Sequence, residues 1–133
     1  MKYFIFILSV MIFLCCKNDS GTSVDNSLKI IRLNDTSEVS VGQTMELTNG
    51  EIVFKFDSLI QEARCPIGIE CLWQGNASIH LTFHDRVDTL DTYFKQTISY
   101  GNYKLILINL LPYPIWQQPI DKKSYIAFIK VSQ

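Results

Sequence analysis

The sequence predicts an all-β protein: a small antiparallel sandwich or barrel of about seven to eight strands, with one intrachain disulfide. Three observations carry this. From Leu28 onward, apolar residues fall in short, often alternating runs with little helical periodicity. Those runs are rich in β-branched and aromatic side chains, which suit a pleated, half-buried surface. Turn-forming residues separate them about every 8–12 positions, the rhythm of a sandwich or barrel.

Taken in order, Leu28 to Leu33 is a first short run, ended by the turn chemistry of Asn34-Asp35. Glu38 to Leu47 follows, broken by Gly42. Thr48-Asn49-Gly50-Glu51 reads as a hairpin turn, because Asn-Gly tolerates positive φ. Ile52 to Phe56 leads into a mixed stretch ending at Arg64, and within it Ser58 to Glu62 is the one segment that could form a helical turn or two. Ala77 to Phe83 alternates cleanly: Ile79, Leu81 and Phe83 face one way, Ser78, His80 and Thr82 the other. Val87 to Phe94 is a weaker strand. Thr97 to Tyr100 and Tyr103 to Leu111 form a second hairpin around Gly101-Asn102, and the doubly apolar stretch Leu105 to Ile108 marks a central strand. Tyr125 to Val131 closes the series. Residues 28–133 thus form one β domain, large enough for a single modest core.

A separate segment precedes it. Lys2 opens the chain, and Tyr3 to Cys16 is apolar apart from Ser9. A short positive start followed by about a dozen apolar residues is the layout of a secretory signal. The run stops short of the roughly 20 residues that a spanning helix needs. Residues 1–15 therefore read as a signal peptide. Cys15-Cys16-Lys17-Asn18-Asp19-Ser20 resembles the lipobox of bacterial lipoproteins, in which a cysteine receives diacylglycerol and becomes the new N-terminus. The box has a small residue before that cysteine. Leu14 precedes Cys15 and Cys15 precedes Cys16, so Cys16 is the expected lipidation site and Cys15 the alternative; Phe13 departs from the aliphatic residue usual there. Three acyl chains, palmitate among them, would hold the protein durably, since one chain binds only marginally.

Lys17 stands where the inner-membrane retention signal of enteric lipoproteins has Asp, and Lys17-Asn18-Asp19 loosely resembles the export signal of Bacteroidota surface lipoproteins. The resemblance implies the bacterial cell envelope, with the outer membrane favoured over the inner and its outward face open. Residues 16–27 hold the lipidated cysteine and a polar stretch, from Lys17, whose one apolar side chain is Val24, and which reads as a flexible tether.

Cys65 and Cys71 bracket five residues. In an exported protein such a pair normally forms a disulfide, with free core thiols and a metal or redox pair as the alternatives. Pro66 and Gly68 shape the loop, and Trp73 beside the staple is expected to turn inward as a core anchor, its other role being an exposed binding residue. Arg64 could pair with Glu70 or Glu62 as a surface ion pair. Ala63 to Ala77, with Arg64, Cys65, Pro66, Cys71, Trp73 and Gly75, resembles a family of uncharacterised bacterial secreted and lipoprotein domains with the pattern S-R-C-P-x4-C-x-W-x-G-x-A. Tyr100-Gly101-Asn102-Tyr103 leading to Leu111-Pro112-Tyr113-Pro114, and Val41-Gly42-Gln43, extend the likeness across nearly all of residues 39–131. Ala63 stands where the family has serine, and Asn102 where glycine is common. The resemblance implies the domain boundaries and no activity.

Chemistry-bearing residues are few. The formal charge is −1, with no basic stripe to suggest nucleic acid. His80 and His84 on one strand would sit roughly 13 Å apart, too far to share a metal, and read as solvent-facing. Asp85, Asp88 and Asp91 read as a solvated acidic turn, without the glycine-containing oxygen-rich loop of calcium sites. No phosphate loop, nucleophile elbow or paired carboxylates are present. No cofactor or metal site is therefore expected, nor a catalytic residue. Asp57-Ser58-Leu59 and Asp88-Thr89-Leu90 resemble a short Bacteroidota O-glycosylation sequence.

The best candidate for function is the loop Leu111 to Ile120. Three prolines stiffen it, so binding would cost little ordering entropy. Tyr113, Ile115 and Trp116 supply contact area of the kind found at interface hot spots, although the same residues could cap an open end of the sandwich. The sequence thus points to a lipid-anchored envelope protein with a non-catalytic binding or accessory domain. Its partners would be the membrane, through the N-terminal lipid, and an envelope protein or glycan. The alternative is an enzyme inhibitor or small envelope enzyme.

Overall fold

In the computed structural model, which describes residues 28–133, alternation of apolar and polar residues resolves into nine strands: β1 (Leu28–Ile31), β2 (Thr36–Ser40), β3 (Thr44–Leu47), β4 (Val53–Glu62), β5 (Ala77–Phe83), β6 (Val87–Asp91), β7 (Thr97–Tyr100), β8 (Tyr103–Leu111) and β9 (Ile126–Ser132). The signal peptide 1–15, Cys16 with its alternative Cys15, and the tether to residue 27 lie outside the described residues. No helix among the described residues is long and apolar enough to cross a membrane.

Two sheets form, in the orders β1-β3-β4-β5-β6 and β2-β9-β8-β7. The strand count exceeds the expected seven or eight because the Glu38–Leu47 run divides at Gly42 into β2 and β3, which belong to different sheets. The chain rises along β1, descends in the opposite sheet along β2, and rises again along β3. That is why β1 and β3 pair in parallel while every other pair is antiparallel. The inner faces meet in one core that includes Phe54, Phe56, Leu81, Leu105 and Ile129, each at most 1% exposed. β8 lies between β7 and β9, as its doubly apolar stretch requires.

Ser58 to Glu62 is strand, not helix. β4 runs unbroken through it against β5, with register shifts between Phe56 and Ser58 and between Leu59 and Gln61. These bulges insert an extra residue and disrupt the two-residue alternation. Leu59 then follows Phe56 by three positions, a helix-like spacing inside a strand. Val87 to Phe94 also ends early, at Asp91, whose side chain accepts from the Tyr93 and Phe94 backbone N–H groups and turns the chain out of the sheet.

The strand registers define two ends. At one lie the turns Asn34-Asp35, Thr48 to Glu51, His84 to Arg86 and Gly101-Asn102, which are polar themselves and flanked by the exposed side chains of Leu33, Val53 and Val87. Tyr103 ties the two sheets together here, donating to Glu51 and accepting from Asn49 Nδ2 at 2.9 Å. Nearby, Arg86 lies over the Tyr100 and Phe83 rings, at 5.1 and 5.7 Å, and donates to the Ser99 carbonyl. The opposite end carries the short Val41-Gly42-Gln43 turn between β2 and β3 and three longer connections: the Cys65–Cys71 loop after β4, the Thr92–Gln96 connection after β6, and the proline-rich segment after β8.

Candidate functional site

The cysteine loop is an extension of the β4–β5 hairpin. Beyond Glu62, the Ala63 N–H donates to Asn76 O at 2.9 Å and the Cys65 N–H to Gln74 O at 2.8 Å. Gly75 makes this possible: it sits at φ +68, and a Cβ there would lie 1.8 Å from the Ala63 carbonyl oxygen. No other residue type fits without moving backbone. Cys65 and Cys71 are disulfide-bonded, with Cα atoms 5.9 Å apart.

The stapled loop grips the proline-rich segment through main chain. The Ile67 N–H donates to Pro114 O at 2.9 Å, and the Trp116 N–H donates back to Ile67 O at 3.0 Å. Ile67 and Ile115 thereby form a short parallel bridge, and the Gln118 N–H closes a turn onto Ile115 O at 3.1 Å. Two segments far apart in sequence become one surface.

Arg64 secures this surface to the body of the domain, and it is not the surface residue its charge suggested. Its side chain is 5% exposed and clamps Glu62 bidentately, with Nε donating to Oε1 at 2.8 Å and Nη2 to Oε2. Nη1 donates to Leu110 O at 2.6 Å and Nη2 to Pro112 O at 3.0 Å. Tyr113 lies against the guanidinium, its ring centroid 4.6 Å from the central carbon. One cation therefore joins the end of β4 to the end of β8 across the two sheets. Burial, followed by the charge of the adjacent Glu62, raises the pKa of Tyr125 beneath this cluster.

Trp73 does not turn inward; it is 53% exposed. The loop projects past the strand ends, where there is no sheet interior left to enter, and phenylalanines Phe54 and Phe56 fill the core instead. Trp73 packs beside Phe94, with ring centroids 6.2 Å apart, and Phe94 meets Tyr93 edge-on at 4.8 Å. Leu72 is fully exposed and Phe94 is 70% exposed. Tyr113, Ile115 and Trp116 are also exposed, so the expected binding loop and the cysteine motif open onto the same end of the molecule. Sequence reasoning did not single out Leu72, Tyr93 or Phe94. The available signal was Asp91, a side chain able to start a turn by accepting from N–H groups two and three residues on.

Between these loops lies a cleft of about 180 Å³ lined by Arg64, Gln74, Gly75, Thr92, Leu107, Ile108, Asn109 and Tyr113. It lies below the roughly 300–1,000 Å³ of drug-sized ligand sites. The Nε and both terminal nitrogens of Arg64 are already bonded within the protein. The remaining lining groups are amides, hydroxyls and apolar side chains, able to hydrogen-bond to a ligand.

The acidic residues of the supposed turn are dispersed. Asp85 is exposed and accepts from the Tyr100 hydroxyl at 3.0 Å. Asp88 lies within β6, with Arg86 Nε 2.7 Å from its Oδ2. Asp91 is only 9% exposed, against the solvated position expected. Burial is the largest influence on its carboxyl and pushes the pKa up, but the N–H groups of Tyr93, Lys95 and Phe94 with the Lys95 charge outweigh it and hold the pKa below the usual value. His80 is half-buried in β5, opposite Ser58 on one side and Thr89 on the other, whereas His84 is exposed in the turn beyond. Both candidate glycosylation hydroxyls thus sit within strands. Among the described residues no three His, Cys, Asp or Glu side chains are grouped to hold a metal ion.

Comparison with known proteins finds no match: neither a family model, nor a curated protein, nor a solved structure corresponds significantly to this chain.

Proposed function

We propose that this chain is a lipid-anchored protein of the bacterial cell envelope whose β domain is a non-catalytic binding or accessory module. Acyl chains on Cys16 hold it at the membrane, the outer one by preference, and its loop end presents the binding surface. One observation carries this reading: Tyr113, Ile115 and Trp116 are exposed, yet their backbone is fixed by the Ile67 hydrogen bonds and the Arg64 bracket. Aromatic area on a pre-ordered backbone loses little entropy on association. Rigid aromatic anchors of this kind dominate many interfaces.

The test is crosslinking in the native cell, comparing the parent chain with Tyr113→Ala and Trp116→Ala. Both side chains are exposed, so folding should be retained, which circular dichroism checks. Loss of the envelope crosslinks is the expected result. Undiminished crosslinking by both folded variants overturns the assignment of the loop.

A further inference from the structure

We propose that the partner of the loop end is a lipid surface, the membrane in which the chain is anchored, with Leu72, Trp73, Phe94, Ile115 and Trp116 seated at its headgroup–acyl boundary. The inference rests on the reading of Cys16 as the anchor and of the loop end as the binding surface.

The argument starts from strand direction. Leu28 pairs with Thr44, which pairs with Lys55, and β1 runs toward Ile31, opposite Leu47. The chain therefore enters β1 heading away from the loop end and arrives from the side on which Glu62, the disulfide and the proline-rich segment lie. From the level of Lys55 to that of Glu62 is, along the unbulged partner strand from Thr82 to Ala77, five residues, roughly 17 Å. The eleven residues between Cys16 and Leu28 can extend to roughly 36–40 Å. An anchor at Cys16 can thus sit beyond the loop end without the chain reversing.

The two ends differ in the chemistry they would offer a membrane. The far end consists of Asn, Asp, Glu, Arg, His and Gly turns, and the exposed apolar side chains beside them, Leu33, Val53 and Val87, are aliphatic with no aromatic among them. The loop end exposes tryptophan, phenylalanine, leucine and isoleucine, with the main chain at Ile115, Trp116 and Phe94 held by hydrogen bonds, and Trp and Tyr favour positions with one apolar and one wet side. Lys95, Lys122 and Lys123 are exposed in the loops of this same end and are balanced by Glu70, Asp91 and Asp121, so apolar contact, and not charge, would carry the association. A single lipidated cysteine and an interfacial aromatic patch would then act as two signals on one molecule. The tether would raise the local concentration of the patch at the surface, so each individual contact can be weak.

The chain's two tryptophans, Trp73 and Trp116, both belong to the patch, so intrinsic fluorescence reports on it directly. The acylated full chain is extracted from membranes and reconstituted into phosphatidylethanolamine–phosphatidylglycerol vesicles with brominated or ordinary acyl chains. Bromine quenches only at short range, so a lipid-held domain carrying its tryptophans in water would emit equally in both. Insertion at the headgroup–acyl boundary predicts a roughly two-fold loss of emission in the brominated vesicles. The double variant Leu72→Ser/Phe94→Ser, altered only at exposed positions, should recover most of that emission with an unchanged circular dichroism spectrum. Equal emission from both vesicle types overturns the lipid inference, as does full quenching in the double variant. If emission is equal but the native-cell crosslinks still depend on Trp116, the occupant is an envelope protein and only the lipid inference falls. If the crosslinks are also unaffected, the binding reading falls with it.

Discussion

Arg64 commits Nε and both terminal nitrogens to Glu62 and to the carbonyls of Leu110 and Pro112. A buried ion pair is weak evidence of net stabilisation, because desolvation offsets much of the attraction. Losing one partner is a different matter. Arg64→Met would leave the Glu62 carboxylate, 18% exposed, without its counter-ion and two strand-end carbonyls without their donor. We expect a loss of about 3–5 kcal/mol, read as a lowered urea midpoint. Arg64→Lys should recover only part of it, since an ammonium cannot reproduce the bidentate fork and the lateral reach to Pro112. A loss under about 1 kcal/mol would mean that water readily solvates Glu62, and the bracket would not be the structural tie described here.

Among the elements, the one with most bearing on function is the stapled loop, because it holds the proline-rich segment by main chain. Closing a seven-residue loop in the unfolded chain is worth about 2.4 kcal/mol on entropy alone. Cys65→Ala/Cys71→Ala should therefore lower stability by about 2 kcal/mol. Its more telling consequence is local: hydrogen exchange at the Ile67 and Trp116 amides should quicken more than at the sheet amides between β4 and β5. Uniform acceleration across the domain would show that the disulfide acts only through global stability. The disulfide and the hairpin at Gly101-Asn102 were legible in the sequence because each follows from a short local pattern. β5 was legible for a related reason, since one face is buried throughout and alternation survives. β4 beyond Phe56 was not, because two bulges replace alternation with a three-residue spacing. Trp73 misled for another cause: residue type predicts burial only where there is an interior to enter, and a loop beyond both sheets has none. The Arg64 bracket was not legible either, as two of its acceptors are backbone carbonyls at and just past the end of a strand nearly fifty residues away.

At the scale of the whole molecule, the two sheets share one core, and the loop end is joined to it on both sides: at β4 through Glu62 and the Ala63–Asn76 hydrogen bond, and at β8 through Leu110 and Pro112. Opening the loops would strand the buried Arg64–Glu62 pair, while opening the sheets would remove the strand ends that the loops stand on. The two regions should therefore unfold together, although the loop side chains themselves are largely exposed. Circular dichroism in the far ultraviolet reports the sheets, and tryptophan emission reports only the loop end, because Trp73 and Trp116 are the chain's two tryptophans. In equilibrium urea unfolding the two signals should give the same midpoint and the same slope, about 1–3 kcal/mol/M for a domain of this size. Coincident probes are the mark of a single cooperative unit. An emission change that precedes the loss of sheet signal would instead make the loop end an independently opening segment. Its aromatic side chains would then be ordered only on binding, and the entropic advantage attributed to their fixed backbone would be lost.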